Sequence, residues 1–173
     1  MKKLALILVA FLTLATGYKA QAIEDPYPVG TIIGSAHIGF LPGIGTNISG
    51  DFVLVDSWWK GHFTVGGYAG YNNRRTRDSE YAWSNFAALP RATYGLNITD
   101  DFEVHAGVLT GLGIRSNTYT DSNLQLHHNH QFLFEIGSVT GCRYRLTGNL
   151  YADAELNYTT TMSYINLGIS LVF

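Results

Sequence analysis

From Gly30 onward, apolar and non-apolar side chains take turns along the chain. At the C-terminus, Ile165, Leu167, Ile169, Leu171 and Phe173 occupy every second position, with Tyr164, Asn166, Gly168 and Ser170 between them. The preceding segment puts Leu150, Ala152, Ala154 and Leu156 on one face and Tyr151, Asp153, Glu155 and Asn157 on the other. Phe102, Val104, Ala106, Val108, Leu112 and Ile114 alternate with Glu103, His105, Gly107, Gly111, Gly113 and Arg115. Further on, Phe132, Phe134, Ile136, Tyr144 and Leu146 oppose Glu135, Gly137, Gly141, Arg143 and Arg145. A period of two with no helical interlude predicts strands, each with one face in each of two environments. Eight are predicted, over residues 30–40, 50–57, 61–71, 84–97, 101–115, 131–145, 149–158 and 163–173. The second is the least defined, because Phe52-Val53-Leu54-Val55 is apolar on both faces and leaves its register open.

The links between these segments alternate in length. Short turns are expected at 56–60, 99–101 and 147–149, longer polar links at 72–83 and 116–130, and intermediate or short ones at 41–47 and 159–162. An even strand number with short and long links in alternation is the layout of single-chain bacterial membrane barrels, and it puts both termini in the periplasm. Most segments reach the ~9–11 residues that a tilted strand needs to cross the hydrocarbon layer. A soluble sandwich or lipocalin-type barrel would turn its charges outward. Here the non-apolar face is mostly Gly, Tyr, Asn and Thr, and 14% charged residues is sparse for a soluble surface. Aromatic residues also fall near the turns. Trp58, Trp59, Phe102, Tyr144 and Phe173 would form an inner girdle, and Phe40, Tyr71, Trp83, Phe86, Phe132 and Tyr158 an outer one. The fold class expected is all-β: an eight-stranded antiparallel up-and-down transmembrane β-barrel.

The N-terminus does not share the alternation. Lys2 and Lys3 precede an apolar run from Leu4 to Thr16, and Ala20-Gln21-Ala22 fits the small-x-small pattern that signal peptidase cuts. The run is shorter than the ~20 residues of a spanning helix. Residues 1–22 are therefore expected to be a cleavable signal peptide and residues 23–173 the barrel. Losing Lys2, Lys3 and Lys19 takes the formal charge from −2 to −5. The one basic tract, Arg74-Arg75-Thr76-Arg77, is short and lies beside Asp78 and Glu80, so no nucleic-acid partner is expected. Cys142 is the single cysteine, which excludes an intrachain disulfide, and it is expected to pack on the lipid side.

The leader, eight alternating segments, alternating links and the closing Ile165-x-Leu167-x-Ile169-x-Leu171-x-Phe173 resemble the small outer-membrane barrels of the OmpA and OmpX type. The stretches from Asp51 to Asp56 and from Pro90 to Gly95 resemble uncharacterised barrels of Bacteroidetes-type bacteria. The resemblance implies an integral outer-membrane location among lipid and lipopolysaccharide. It also implies that Phe173 is read by the barrel-assembly machinery. The chain departs from the larger OmpA pattern in lacking a peptidoglycan-binding C-terminal domain, so a cell-wall tether is not supported.

An eight-stranded barrel is just wide enough to be filled by its own side chains, which disfavours a pore. Interior charges must then pair. With Thr147-Gly148-Asn149 as a three-residue loop, Leu146 faces Leu150, Arg143 faces Asp153 and Arg145 faces Tyr151. Extending the face matching predicts lumen pairs Arg143–Asp153, Arg145–Glu103 and Arg115–Glu135, with Arg91, His105 and Glu155 nearby. Structure outweighs an ion path for these groups, since buried charges of both signs usually pair.

Catalysis would need Ser, His and an acid converging. Asp121-Ser122 and His127, His128 and His130 share one long link and Asp78-Ser79 lies in the other, but no His-x-Ser pair of the deacylase type occurs. Neighbouring imidazoles could hold a transition metal, yet in a flexible loop they are more often solvated, so no metal or cofactor is expected. Asn-x-Ser/Thr triplets at Asn47, Asn97 and Asn157 are read as chance. The function expected is a non-enzymatic barrel that supports membrane integrity and displays loops to an unnamed ligand. The alternative is a narrow channel or carrier for small solutes.

Overall fold

The computed structural model describes residues 27–41, 43–59, 61–75, 81–120 and 126–173; the expected signal peptide, residues 1–22, lies outside these. The alternating segments become eight strands: β1 (Ile32–Phe40), β2 (Ile44–Trp58), β3 (Gly61–Arg75), β4 (Tyr81–Thr99), β5 (Phe102–Thr120), β6 (Leu126–Thr147), β7 (Leu150–Tyr158) and β8 (Ile165–Val172). Each pairs antiparallel with its chain neighbours, and β8 pairs with β1 from Ile33↔Val172 to Phe40↔Ile165, closing the barrel. Closure matters because an open edge would leave backbone donors and acceptors unpaired in lipid. Phe173 finishes the seam: its amide donates to the Ile32 carbonyl at 2.9 Å, and its own carbonyl accepts from the Ile32 amide at 3.1 Å.

The two faces are inverted relative to a soluble protein. Outward positions carry exposed Ile38, Ile48, Val108, Leu112, Phe134, Ile136, Leu156, Leu167 and Ile169. Inward positions carry buried Ser35, His37, Asn47, Thr64, Thr93, Asn157 and Ser170 together with most of the chain's buried charges. Near the strand ends, Phe40, Tyr71, Phe86, Phe132 and Tyr158 are exposed toward one rim, and Trp58, Trp59, Tyr144 and Phe173 toward the other. At that second rim Trp58 stands edge-on to Phe63 and Tyr94, and the Tyr94 hydroxyl donates to the Trp58 carbonyl at 2.9 Å.

Three expectations change. The segments 72–75, 81–83, 116–120 and 126–130, expected as loop, are paired strand, so the β3–β4 and β5–β6 hairpins stand above the rest of the barrel. There His127, His128, Asn129 and His130 are exposed in succession, so hydrophobic alternation stops although backbone pairing continues. β2 begins at Ile44, not residue 50, pairing with Phe40 through a link of only three residues. The β6–β7 turn is also tighter than expected. Thr147, not Leu146, pairs with Leu150, and a register shift between Arg145 and Thr147 absorbs Leu146. Gly148 takes φ +48°, the left-handed conformation that the turn requires. Elsewhere glycine serves close approach: a Cβ on Gly66 would run into the Gly50 carbonyl oxygen.

The interior is layered. At the end bearing Tyr27 and Phe173, Tyr27, Ile33, Val53 and Tyr151 form a buried apolar cluster. Toward the tall hairpins, Tyr68, Ala87, Leu89, Leu109, Val139 and Met162 form a second. Met162 comes from the β7–β8 link, folded inward and pinned by its amide donating to Thr159 Oγ1 at 3.1 Å. Between these plugs lies a layer of charge.

Candidate functional site

Inward phase on seven strands delivers nine ionisable side chains to one level: His37 on β1, Asp51 on β2, His62 on β3, Arg91 on β4, Glu103 and His105 on β5, Arg143 on β6, Asp153 and Glu155 on β7. All are buried. Arg143 is the hub. Its Nε donates to Asp153 Oδ2 at 3.1 Å, its Nη1 to Glu103 Oε1 at 2.9 Å, and its Nη2 lies 3.9 Å from Asp51 Oδ2. Arg91 forms a second fork. Its Nε and Nη2 reach Asp51 Oδ1 and Oδ2 at 2.8 and 2.7 Å, and its Nη1 reaches Glu155 Oε1 at 3.1 Å. Asp51 thus joins the two guanidiniums, and bidentate planar contacts of this sort are what arginine makes best.

The histidines fill the remaining edges. His105 places Nδ1 3.4 Å from Glu103 Oε1 and Nε2 3.3 Å from Glu155 Oε1. His62 Nε2 lies 3.8 Å from Glu103 Oε1, and its ring stands edge-on to Tyr27 with centroids 4.7 Å apart. His37 Nε2 lies 3.4 Å from Asp153 Oδ2. Its other nitrogen joins a chain of amides: His37 Nδ1 meets Asn47 Oδ1 at 3.0 Å, Asn47 Nδ2 donates to Asn166 Oδ1 at 2.8 Å, and Asn166 Nδ2 donates to the Ser163 carbonyl at 3.1 Å. Asp153 Oδ2 also accepts from Ser170 Oγ, which in turn meets Ser35 Oγ at 2.8 Å.

The expected pairs can be placed one by one. Arg143 and Asp153 are cross-strand partners in contact. Arg145 and Glu103 do not meet. Two residues along β6 carry Arg145 to the barrel rim, where Nε donates to the Tyr151 hydroxyl at 3.0 Å and Nη1 lies 3.8 Å from Asp101. Glu103 is instead taken by Arg143, its direct partner across the β5–β6 ladder. Arg115 and Glu135 do not meet either, because Gln131 and not Glu135 is opposite Arg115. Both anchor the β7–β8 link: Arg115 Nη2 donates to the Thr160 carbonyl at 2.9 Å, while Glu135 accepts from the Thr160 amide and hydroxyl at 3.0 and 2.6 Å.

Sequence reasoning kept Arg91, His105 and Glu155 as neighbours and missed Asp51, His37 and His62. His37 and His62 were available as inward positions once the strand phase was fixed. Asp51 was hidden by the two-sided apolar run that follows it. In the hairpins, His127, His128 and His130 are exposed, and His128 Nδ1 meets Thr118 Oγ1 at 3.1 Å. Asp121, Ser122, Asp78 and Ser79, weighed for acyl transfer, lie outside the described residues.

No family model matches the chain, and no curated protein sequence matches it. Solved structures do. The N-terminal β-barrel domain of Pseudomonas aeruginosa OprF aligns with TM-score 0.53 at 14% identity, covering 84% of this chain and 98% of that one. The attachment invasion locus protein Ail of Yersinia pestis aligns with TM-score 0.51 at 11% identity, covering 84% and 96%. A de novo designed transmembrane β-barrel aligns with TM-score 0.54 at 11% identity, covering 87% and 100%. At such identities the likeness is one of fold, and a designed member among the matches underlines that this fold prescribes no activity. The chain has the closed, eight-stranded, up-and-down fold of the small outer-membrane β-barrels.

Proposed function

We propose that the protein is a non-enzymatic integral barrel of a bacterial outer membrane, which supports the integrity of that membrane and presents its β3–β4 and β5–β6 hairpins as a recognition surface. The observation that carries this reading is the inversion of the two faces. A belt rich in Ile, Leu, Val and Phe points outward, while Arg91 and Arg143 meet buried carboxylates inside a filled lumen. Only a hydrocarbon surround makes such a belt favourable.

Both termini then lie in the periplasm, and the two tall hairpins rise outside among lipopolysaccharide. Phe173, the residue after β8 at the closing seam and exposed at the rim, is the residue offered to the assembly machinery. The ionisable groups that the fold concentrates are walled in between Tyr27 and Met162, out of reach of any lipid substrate, which favours a structural role over catalysis. The likeness to Ail, named for attachment and invasion, agrees with hairpins that bind at the cell surface.

Two measurements test this. Trypsin applied to intact cells should cut only within the β3–β4 and β5–β6 hairpins, which include Arg74 and Arg75; cuts at Lys60 or Arg145 in intact cells would reverse the orientation. Reconstituted in planar bilayers, the barrel should be electrically silent. Reproducible single-channel steps would replace the structural reading with a conduit.

A further inference from the structure

The charge layer does not balance. Asp51, Glu103, Asp153 and Glu155 bring four carboxylates to it, and Arg91 and Arg143 bring two guanidiniums. Glu135 does not add to the excess, since it sits at the hairpin end beyond Leu109 and Val139 with Arg115 on the same link. Two negative charges are therefore left over in a space from which lipid outside and apolar plugs at both ends exclude bulk water. An uncompensated buried charge is costly enough that something must neutralise it.

The hydrogen-bond chain behind His37 indicates what. The Ser163 carbonyl can only accept, so Asn166 must present its Nδ2 there and its Oδ1 to Asn47. Asn47 must then donate through Nδ2 and accept through Oδ1, so the proton on His37 sits on Nδ1. In the neutral ring this leaves the lone pair on Nε2, aimed at the carboxylates of Asp153 and Glu155. His37 Nε2 and Asp153 Oδ1 are both fully buried with no hydrogen-bond partner among the described residues. One ligand atom from each of His37, Asp153 and Glu155 lies within 4.8 Å of the others. The second oxygen of Asp153 is already held by Arg143 and Ser170, and Glu155 is held by Arg91. An imidazole fixed through its far nitrogen by a carbonyl oxygen, beside carboxylates fixed by their own donors, is the arrangement in which an outer shell orients metal ligands.

We propose that His37 Nε2, Asp153 Oδ1 and the Glu155 carboxylate form a binding site for one divalent cation of the zinc type in the barrel interior. Its two charges neutralise the layer. One imidazole and two carboxylates suit zinc, and His105 Nε2, 3.3 Å from Glu155 Oε1 and without a hydrogen-bond partner among the described residues, is the neighbouring nitrogen for a fourth position. The ion is structural: Tyr27 and Met162 close the interior, so it enters as the barrel folds and leaves when it unfolds. This assignment is independent of what the hairpins bind.

The test refolds residues 23–173, without an affinity tag, into detergent micelles with Zn2+ and then washes the folded protein with EDTA before elemental analysis. Wild type should retain one zinc per chain, resistant to the chelator until the barrel is unfolded. His37→Gln, checked for heat-modifiable migration on a gel as a sign of folding, should retain none. Changing His127, His128 and His130 together to Asn should leave the retained zinc unchanged. Wild-type protein that emerges from the wash metal-free overturns the site, and needs no variant to do so. Retention that follows the hairpin histidines, or that survives in folded His37→Gln, overturns it equally; protons on the histidines would then balance the layer.

Discussion

Replacing Arg143 with Ala removes the hub of the charge layer. The guanidinium contacts Glu103 at 2.9 Å and Asp153 at 3.1 Å and lies 3.9 Å from Asp51. Its loss leaves four buried carboxylates facing the single guanidinium of Arg91. Breaking one buried ion pair by removing a partner costs about 3–5 kcal/mol, because the other charge stays buried and uncompensated. Here more than one acid is stranded, so that range is a floor, and it is a large share of a domain stability of about 5–15 kcal/mol. With a urea slope of about 2 kcal/mol per molar, the unfolding midpoint should fall by about 1.5–2.5 M. The assay is equilibrium unfolding in lipid vesicles with EDTA present, followed by tryptophan fluorescence and by gel migration. The physical cause is checked by a triple variant, Arg143→Met with Glu103→Gln and Asp153→Asn, which removes the charges together and should recover most of the loss. A midpoint for Arg143→Ala equal to wild type would refute the reasoning, and so would a triple variant no better than the single one.

Three further perturbations separate the layers. Arg145→Ala, at a side chain 30% exposed on the rim, should cost under about 1 kcal/mol in the same unfolding assay, so a loss as large as that of Arg143→Ala would move the hub to the wrong arginine. Leu167→Lys, halfway along β8 on the outward face, should cost about 2–4 kcal/mol in vesicles, and a neutral effect would mean that this face does not meet hydrocarbon. Gly148→Ala meets no neighbouring atom but must keep φ +48°, so it should cost about 1–2 kcal/mol without altering the fold; a stabilised variant would contradict that turn geometry.

What could be read from the sequence was whatever depends on strand phase. Alternation from Phe102 to Ile114 and from Ile165 to Phe173 reports which face meets lipid, and counting back from Gly148 sets Arg143 opposite Asp153. Two kinds of information were hidden. Phe52–Val55 is apolar on both faces because Val53 turns inward to pack with Tyr27, Ile33 and Tyr151 while Phe52 and Leu54 face out. A barrel plugged by apolar side chains erases the alternation at its plug. The second gap is distance across the lumen. Arg91 on β4 and Glu155 on β7 are three strands apart in the sheet yet bonded through the interior, and no local pattern encodes that. Glu103 was assigned to Arg145 for another reason: face matching selects the right side of the sheet, while the level along the β5–β6 ladder, which sets Glu103 opposite Arg143, depends on a long hairpin whose register no short turn fixes.

The most direct test asks which solvent the outward belt requires. Residues 23–173 are diluted from denaturant into buffer alone and into buffer with phospholipid vesicles. Circular dichroism and sedimentation then report strand content and association. With vesicles the chain should gain β-structure and float with the lipid, and without them it should aggregate or stay unfolded. A folded, monomeric, water-soluble protein in plain buffer would contradict the account.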